Sequence, residues 1–360
     1  MPTAARGSQV HVVVPGAIDT RTGGYGYDRE IVAGLERRGW IVHVHEIPGS
    51  FPHPSADARA SAAAALAALP DGASVVMDGL ALGALPDEAA REAARLRLIA
   101  LVHHPLADET GLPADARASL EASERRALEA ARHVVVTSPR TAATLDRYGV
   151  AHDSITVIEP GTDPAPQARG SGSGGSGGGT VELLCVATLV PRKGHDVLVR
   201  ALAAMREAAW HLTCVGGLDR DEAWAAGVRA QAAASGLESR IAFAGELDRA
   251  PLDVRYDAAD VFVLPTWYEG YGMAVAEALA RGLPVVSTAT GAIADLVGDD
   301  AGLLVPPGDA EALTRALSSV VTDAALRERL AGGARRARGR LPSWDDAAGQ
   351  MARTIEGVDE

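Results

Sequence analysis

Val261-Phe-Val-Leu-Pro-Thr-Trp-Tyr-Glu269-Gly-Tyr-Gly272-Met-Ala-Val-Ala-Glu277-Ala-Leu-Ala280 reads as an apolar strand, a loop with one carboxylate and two glycines, and an alanine-rich helix. A strand that turns through glycines straight into a helix is half of a parallel βα unit. The glycines let backbone amides approach a ligand with no side chain in the way, and the helix start adds positive potential, so the loop favours an anion. Glu269 and Glu277 are eight positions apart. That spacing puts one in the loop and the other about two turns along the helix. Ionised carboxylates only accept hydrogen bonds, so the pair suits hydroxyls at two points of one ligand; acid–base chemistry is the alternative use.

The same alternation runs outward in both directions. Strands are expected at Val10 to Val14, Ile41 to His45, Ser74 to Met77, Leu98 to His103, His133 to Thr137 and Ile155 to Ile158. A second set follows at Val181 to Val186, His211 to Val215, Ile241 to Phe243, Val261 to Leu264, Pro284 to Ser287 and Gly302 to Val305. Helical stretches separate them, the pattern of an α/β chain with two Rossmann-like, doubly wound domains. Gly170-Ser-Gly-Ser-Gly-Gly-Ser-Gly-Gly-Gly179 is a flexible tract that marks the boundary. The expected division is a first domain over 1–165, a linker over 166–179, a second domain over 180–340 and a terminal segment over 341–360. Open parallel sheets take ligands at the carboxyl ends of their strands, so two hinged sheets are expected to face a central cleft.

Composition narrows the partners. Among thirty-four basic side chains the single lysine is Lys193, in Thr188-Leu-Val-Pro-Arg-Lys-Gly-His195. A compact ammonium reaches a crowded phosphate oxygen that a broad guanidinium does not. A formal charge of −13 argues against nucleic acid. Arg335-Arg336-Ala-Arg338-Gly-Arg340 reads as a solvated helix end, with peripheral contact to anionic lipid or acceptor as the alternative. No run is long enough to span a membrane, and Met1 to Gly7 lacks the apolar core of a secretory signal. Cys185 and Cys214 fall in expected buried strands as small core residues, and the expected setting is the cytoplasm. Asp219-Arg-Asp221 has a spacing that suits a divalent cation, but it precedes Glu222-Ala-Trp224 at a helix start, where aspartate caps amides. No metal is expected. A nicotinamide-dependent dehydrogenase is disfavoured because Gly24-Tyr-Gly26-Tyr-Asp-Arg29 puts arginine where the fingerprint needs its last glycine.

Six blocks in order carry a family resemblance: Gly23-Gly24, Glu159-Pro-Gly-Thr-Asp163, Val186-Ala-Thr-Leu-Val-Pro-Arg192-Lys193-Gly, Val215-Gly-Gly217, the block around Glu269 and Glu277 through Pro284, and Gly302-Leu-Leu-Val-Pro-Pro-Gly308. Together they resemble the retaining group 1 (family 4) glycosyltransferases of the GT-B fold. The resemblance implies transfer of a sugar, a hexose by expectation, from a nucleoside-diphosphate sugar to an acceptor hydroxyl. It also implies retention by front-face attack and no metal or other cofactor. Arg192 and Lys193 would bind the donor diphosphate and hold the charge of the leaving group. Glu269 would contact donor-sugar hydroxyls, Glu277 the ribose, and the backbone of Gly216, Gly245, Gly270, Tyr271 and Gly272 the rest of the donor. Gly23 and Gly24 would close over the diphosphate from the first domain.

The family places a histidine near the transferred sugar. In Leu101-Val-His103-His104-Pro-Leu106 it aligns better with His104 than with His103. Two positions depart from the pattern. Trp267, with Tyr268, reads as a core wedge beneath the loop, and Asp295 stands after Gly291 in place of a longer acid, leaving its donor-side role open. Pro48 to Ser55, with Phe51, is the expected acceptor wall; the acceptor could be a glycan, a lipid-linked sugar or a small molecule. Pro342 to Ile355 is expected to form a helix crossing back to the first domain. The rival from a different class is a non-catalytic nucleotide-sugar-binding regulator or scaffold on the same fold.

Overall fold

The computed structural model describes residues 8–48, 50–172 and 179–359. The expectations for Met1 to Gly7 and for the middle of the glycine–serine tract therefore lie outside the described residues. The first half forms strands β1 Gln9–Pro15, β2 Ile41–Ile47, β3 Ser74–Asp78, β4 Arg97–Val102, β5 His133–Val136 and β6 Ile155–Val157. The second half forms β7 Val181–Val186, β8 Trp210–Val215, β9 Ile241–Phe243, β10 Val261–Leu264, β11 Val285–Thr288 and β12 Gly302–Val305. Every expected strand is present, shifted only at its ends.

The strands make two wholly parallel sheets, in the orders β2-β1-β3-β4-β5-β6 and β12-β11-β10-β7-β8-β9. Helices cover both faces, which is why the central strands are apolar at nearly every position rather than at alternate ones. β3 and β10 are buried along their whole length. Each order reverses once, between β1 and β3 in the first sheet and between β7 and β10 in the second. At such a reversal the loops after the two neighbouring strands part and leave room for a ligand at the carboxyl end.

The chain divides into two compact units, Met1–Gly161 with Pro342–Glu360, and Thr162–Leu341. The helix Trp344–Asp359 packs on the helix Gly23–Arg37 inside the first unit. Ala347, Ala348, Met351 and Ile355 are fully buried by that packing. Two glycines permit the close approach: a Cβ on Gly34 would lie 2.4 Å from Ala348 Cβ, and one on Gly161 would lie 2.2 Å from the Trp344 nitrogen. Arg38 Nη1 fastens the helix start at 2.6 Å from Asp345 Oδ1.

The expected linker begins as fixed chain. Ala168 N donates to the Arg281 carbonyl at 2.9 Å and Arg169 N to that of Asp257 at 2.9 Å, while Ser171 Oγ donates to Asp260 Oδ2 at 2.6 Å. Residues 166–172 thus belong to the second unit's surface. On the first unit, Phe51 of the expected acceptor wall is half-buried against the core.

Candidate active site

The second sheet's reversal brings the two strongest sequence blocks together. After β7 the chain makes a short turn at Pro191–Lys193, and Gly194 then starts the helix His195–Ala203 in the left-handed region at φ 69°. A Cβ on Gly194 would lie 2.1 Å from the Pro265 carbonyl oxygen. Only glycine lets this turn lie against the loop that follows β10. The contact is stitched by hydrogen bonds: Trp267 N donates to the Arg192 carbonyl at 2.8 Å, and Thr266 Oγ1 donates to the carbonyls of Arg192 and Tyr268, each at 3.0 Å.

Within this frame Lys193 Nζ pairs with Glu269 Oε1. Arg192 Nη1 donates to the Tyr268 carbonyl at 2.9 Å and stands 3.9 Å from Glu269 Oε1. Burial works to raise the Glu269 carboxyl, but Lys193 first and Arg192 second outweigh it and hold it below the usual carboxylate range. Glu269 therefore stays an acceptor at neutral pH. Gly291 buttresses it from behind at φ 52°, where a Cβ would come 1.7 Å from the Glu269 carbonyl oxygen. Behind Lys193, His195 is buried with Nε2 3.6 Å from Cys185 Sγ.

Gly272 caps the helix Met273–Ala280 at φ 102°. The Tyr271 side chain is buried with Ala276 and Ala292, which leaves the backbone of Gly270, Tyr271 and Gly272 as the part that can face a ligand. Along that helix Glu277 Oε2 accepts from Tyr256 Oη at 2.9 Å. Burial raises its carboxyl above the usual range, while Tyr256 and Arg281 pull the other way. Gly216 follows β8 and donates to the Gly245 carbonyl at 2.9 Å; a Cβ there would lie 2.1 Å from the Ala187 oxygen.

Other readings are corrected or narrowed. Trp267 is 40% exposed and is no core wedge. Its ring lies over Gly308, where a Cβ would come 2.3 Å from Cη2. Asp295 is exposed in the first turn of the short helix Ile293–Val297. Asp221 caps its helix by accepting from Trp224 N at 2.9 Å. Arg335 and Arg336 pair with Glu328 and Asp300 at 2.7 and 2.6 Å.

In the first unit, Gly23 and Gly24 open the helix Gly23–Arg37 after β1. Arg29, standing where a dinucleotide fingerprint has glycine, donates to the carbonyls of Ile18 and Thr20 at 2.6 and 3.0 Å and so braces the preceding loop. The ring beside Gly24 is that of His103: a Cβ on Gly24 would lie 3.3 Å from His103 Cδ2. His103 Nε2 is 3.0 Å from Asp28 Oδ1 and 3.7 Å from Asp78 Oδ2. Neither aspartate was singled out from sequence. Among the described residues these three form the one group of His, Cys, Asp or Glu with ligand atoms mutually within 4.8 Å. The signals were present: Asp28 sits beside Tyr27 on the apolar face of its helix, and Asp78 ends a wholly buried strand.

Comparison with known proteins bears on the family and the fold. Residues 3–166 match the model of "Glycosyltransferase Family 4" and residues 180–323 that of "Glycosyl transferases group 1". A D-inositol 3-phosphate glycosyltransferase of Xylanimonas cellulosilytica is 32% identical over 241 residues, covering 63% of this chain and 57% of that protein. This chain thus spans a little over half the length of the relatives it matches. Sucrose-phosphate synthase from Thermosynechococcus elongatus superposes with a TM-score of 0.81 at 23% identity, over 98% of this chain and 99% of that one. Anabaena Alr3699/HepE, solved with UDP and glucose, gives 0.75 at 18% identity over 96% and 99%. Among the described residues no helix is long and apolar enough to cross a membrane. Two family models in tandem, two doubly wound parallel sheets and a basic pair set against Glu269 at a strand reversal place this chain among the group 1, family 4 glycosyltransferases of the GT-B fold.

Proposed function

We propose that the protein transfers a sugar from a nucleoside-diphosphate donor to an acceptor hydroxyl with retention at the anomeric carbon. The observation that carries the reading is the meeting of Lys193, Arg192 and Glu269 at the β7/β10 reversal. Without a donor the carboxylate neutralises the ammonium. A diphosphate arriving at Lys193 and Arg192 would take over that charge, releasing Glu269 to accept from sugar hydroxyls. As the glycosidic bond breaks, negative charge grows on the leaving phosphate, and two fixed cations favour that state over the ground state. On this reading the two cations of the chain would serve in place of a metal, and Asp221 is a helix cap.

Acceptor attack from the face of the leaving group would let a phosphate oxygen take the hydroxyl proton, so no separate nucleophile is required. HepE was solved with UDP and glucose, and the Xylanimonas relative is named for inositol 3-phosphate. UDP-glucose and a phosphorylated cyclitol are therefore the first donor and acceptor to test. The cytoplasm is the proposed setting, since Cys185 and Cys214 lie on neighbouring strands as free thiols.

The test is a panel of nucleoside diphosphates in thermal shift followed by donor turnover. A ligand at a hundred times its dissociation constant should add about 2.7 kcal/mol. Lys193→Arg keeps the charge but loses the compact reach, and we expect turnover to fall at least about tenfold. Unchanged turnover in that variant would remove Lys193 from the mechanism. Binding without turnover across the panel would favour the regulatory alternative.

A further inference from the structure

Asp28, Asp78 and His103 come from three elements of the first unit: the helix after β1, the end of β3 and the chain just past β4. Two of these strands flank the first sheet's reversal. Asp28 and Asp78 are 2% and 6% exposed. Two buried carboxylates that close together cannot both stay ionised at modest cost; one holds a proton unless a cation intervenes. Asp78 Oδ1 already accepts from Leu80 N at 2.6 Å, so Oδ2 is the oxygen turned toward His103. Asp28 Oδ1 takes His103 Nε2, and Asp28 Oδ2 is buried with no hydrogen-bond partner among the described residues. The ligand oxygens of Asp28 and Asp78 lie within 4.8 Å of each other, near enough for the two carboxyls to share a proton.

Among the described residues Tyr27 also faces the imidazole, edge-on at 5.2 Å between ring centres, and its hydroxyl donates instead to the Ile158 carbonyl at 3.1 Å. Asp28 takes Nε2, which leaves Nδ1 as the nitrogen for a ligand; the side chain keeps 19% of its surface exposed, and the ring edge that meets Gly24 is the Cδ2–Nε2 edge.

We propose that Asp28 and Asp78 are positioning residues that work as a proton-sharing pair on His103: ionised Asp28 accepts from Nε2–H, protonated Asp78 shares its proton with Asp28, and His103 Nδ1 is thereby presented to a ligand of the first unit as a hydrogen-bonding cation. The directions of titration agree. Burial and the neighbouring Asp28 push the Asp78 carboxyl up to about 7, and for His103 it is chiefly Asp28, by its charge and its hydrogen bond, that outweighs burial and raises the imidazole above its ordinary value, Asp78 adding least. The role assigned to Nδ1 rests on the transferase reading; the proton arrangement does not.

The experiment is 15N NMR titration of the imidazole in the full-length protein, with the pH profile of kcat/KM alongside. In the parent the neutral form should carry its proton on Nε2, and an Nδ1–H tautomer overturns the proposal without any variant. Asp28→Asn should lower the His103 midpoint by about one pH unit or more and move the alkaline limb of kcat/KM with it. Asp78→Asn supplies a neutral donor in place of the protonated acid and should keep the parent midpoint within a few tenths of a unit. Equal loss in both variants, or no shift in Asp28→Asn, overturns the pair. So does zinc or manganese at one equivalent in the purified protein that either variant releases, because the cluster is then a metal site. If the NMR shifts appear but no donor turns over, the pair stands and the transferase reading fails.

Discussion

Lys193 and Glu269 hold each other where a donor is expected to compete. The side chains are 16% and 10% exposed, so removing one charge strands the other in a poorly solvated place. Glu269→Gln should lower the stability of the ligand-free protein by about 3 kcal/mol, the lower part of the range for breaking a buried pair. It should also enlarge the stabilisation by a nucleoside diphosphate, because the diphosphate no longer has to displace a carboxylate from Lys193. Calorimetry with and without nucleotide reads both changes. An equal nucleotide shift in parent and variant would mean that the diphosphate does not meet Lys193.

At the scale of elements, the helix Trp344–Asp359 depends on a glycine at its contact with Gly23–Arg37. Gly34→Leu would drive a side chain into Ala348, and we expect a loss of about 2 kcal/mol or more from overpacking, seen as a fall in Tm. The exposed strand β2 contributes a pH response. His11 Nδ1 lies 3.0 Å from His45 Nε2, and the His11 ring stacks on His43 with centres 4.9 Å apart. Burial first, and then the neighbouring imidazoles, lower the titration of His11 and His45. A depressed folded value means the unfolded chain binds protons first. This contribution is therefore complete above the ordinary histidine range and is lost as pH falls through the folded values. The drop in Tm from pH 7.5 to 5.5 should be smaller in His11→Gln than in the parent.

Elements such as β3 and β10 were legible because a strand buried on both faces must be written almost wholly in apolar residues. Lys193 and Glu269 were legible because each follows such a run at a glycine turn. Which of His103 and His104 meets Gly24 was not, since consecutive residues leaving a strand point to opposite sides and the alignment says nothing of the pleat. Asp28 and Asp78 were missed because a carboxylate amid apolar residues acquires meaning only when β1, β3 and β4 are laid side by side. Trp267 was misjudged by size alone: a large ring can lie on the surface when a glycine such as Gly308 gives it a floor.

Across the molecule the two units differ in how the chain supplies them. The second, Thr162–Leu341, is one continuous stretch, whereas the first needs both Met1–Gly161 and Pro342–Glu360. A fragment spanning 162–341 should fold and retain nucleotide binding in thermal shift. A fragment ending at Gly161 leaves the apolar face that receives Met351 and Ile355 uncovered and should unfold non-cooperatively or aggregate. On the ribosome the same division becomes a matter of time. At about 5 to 20 residues per second, the first unit, though begun earlier, waits roughly ten to forty seconds for its last helix while the second is being made. The N-terminal part is thus finished last, and its exposed seam is where a chaperone would find this chain during synthesis.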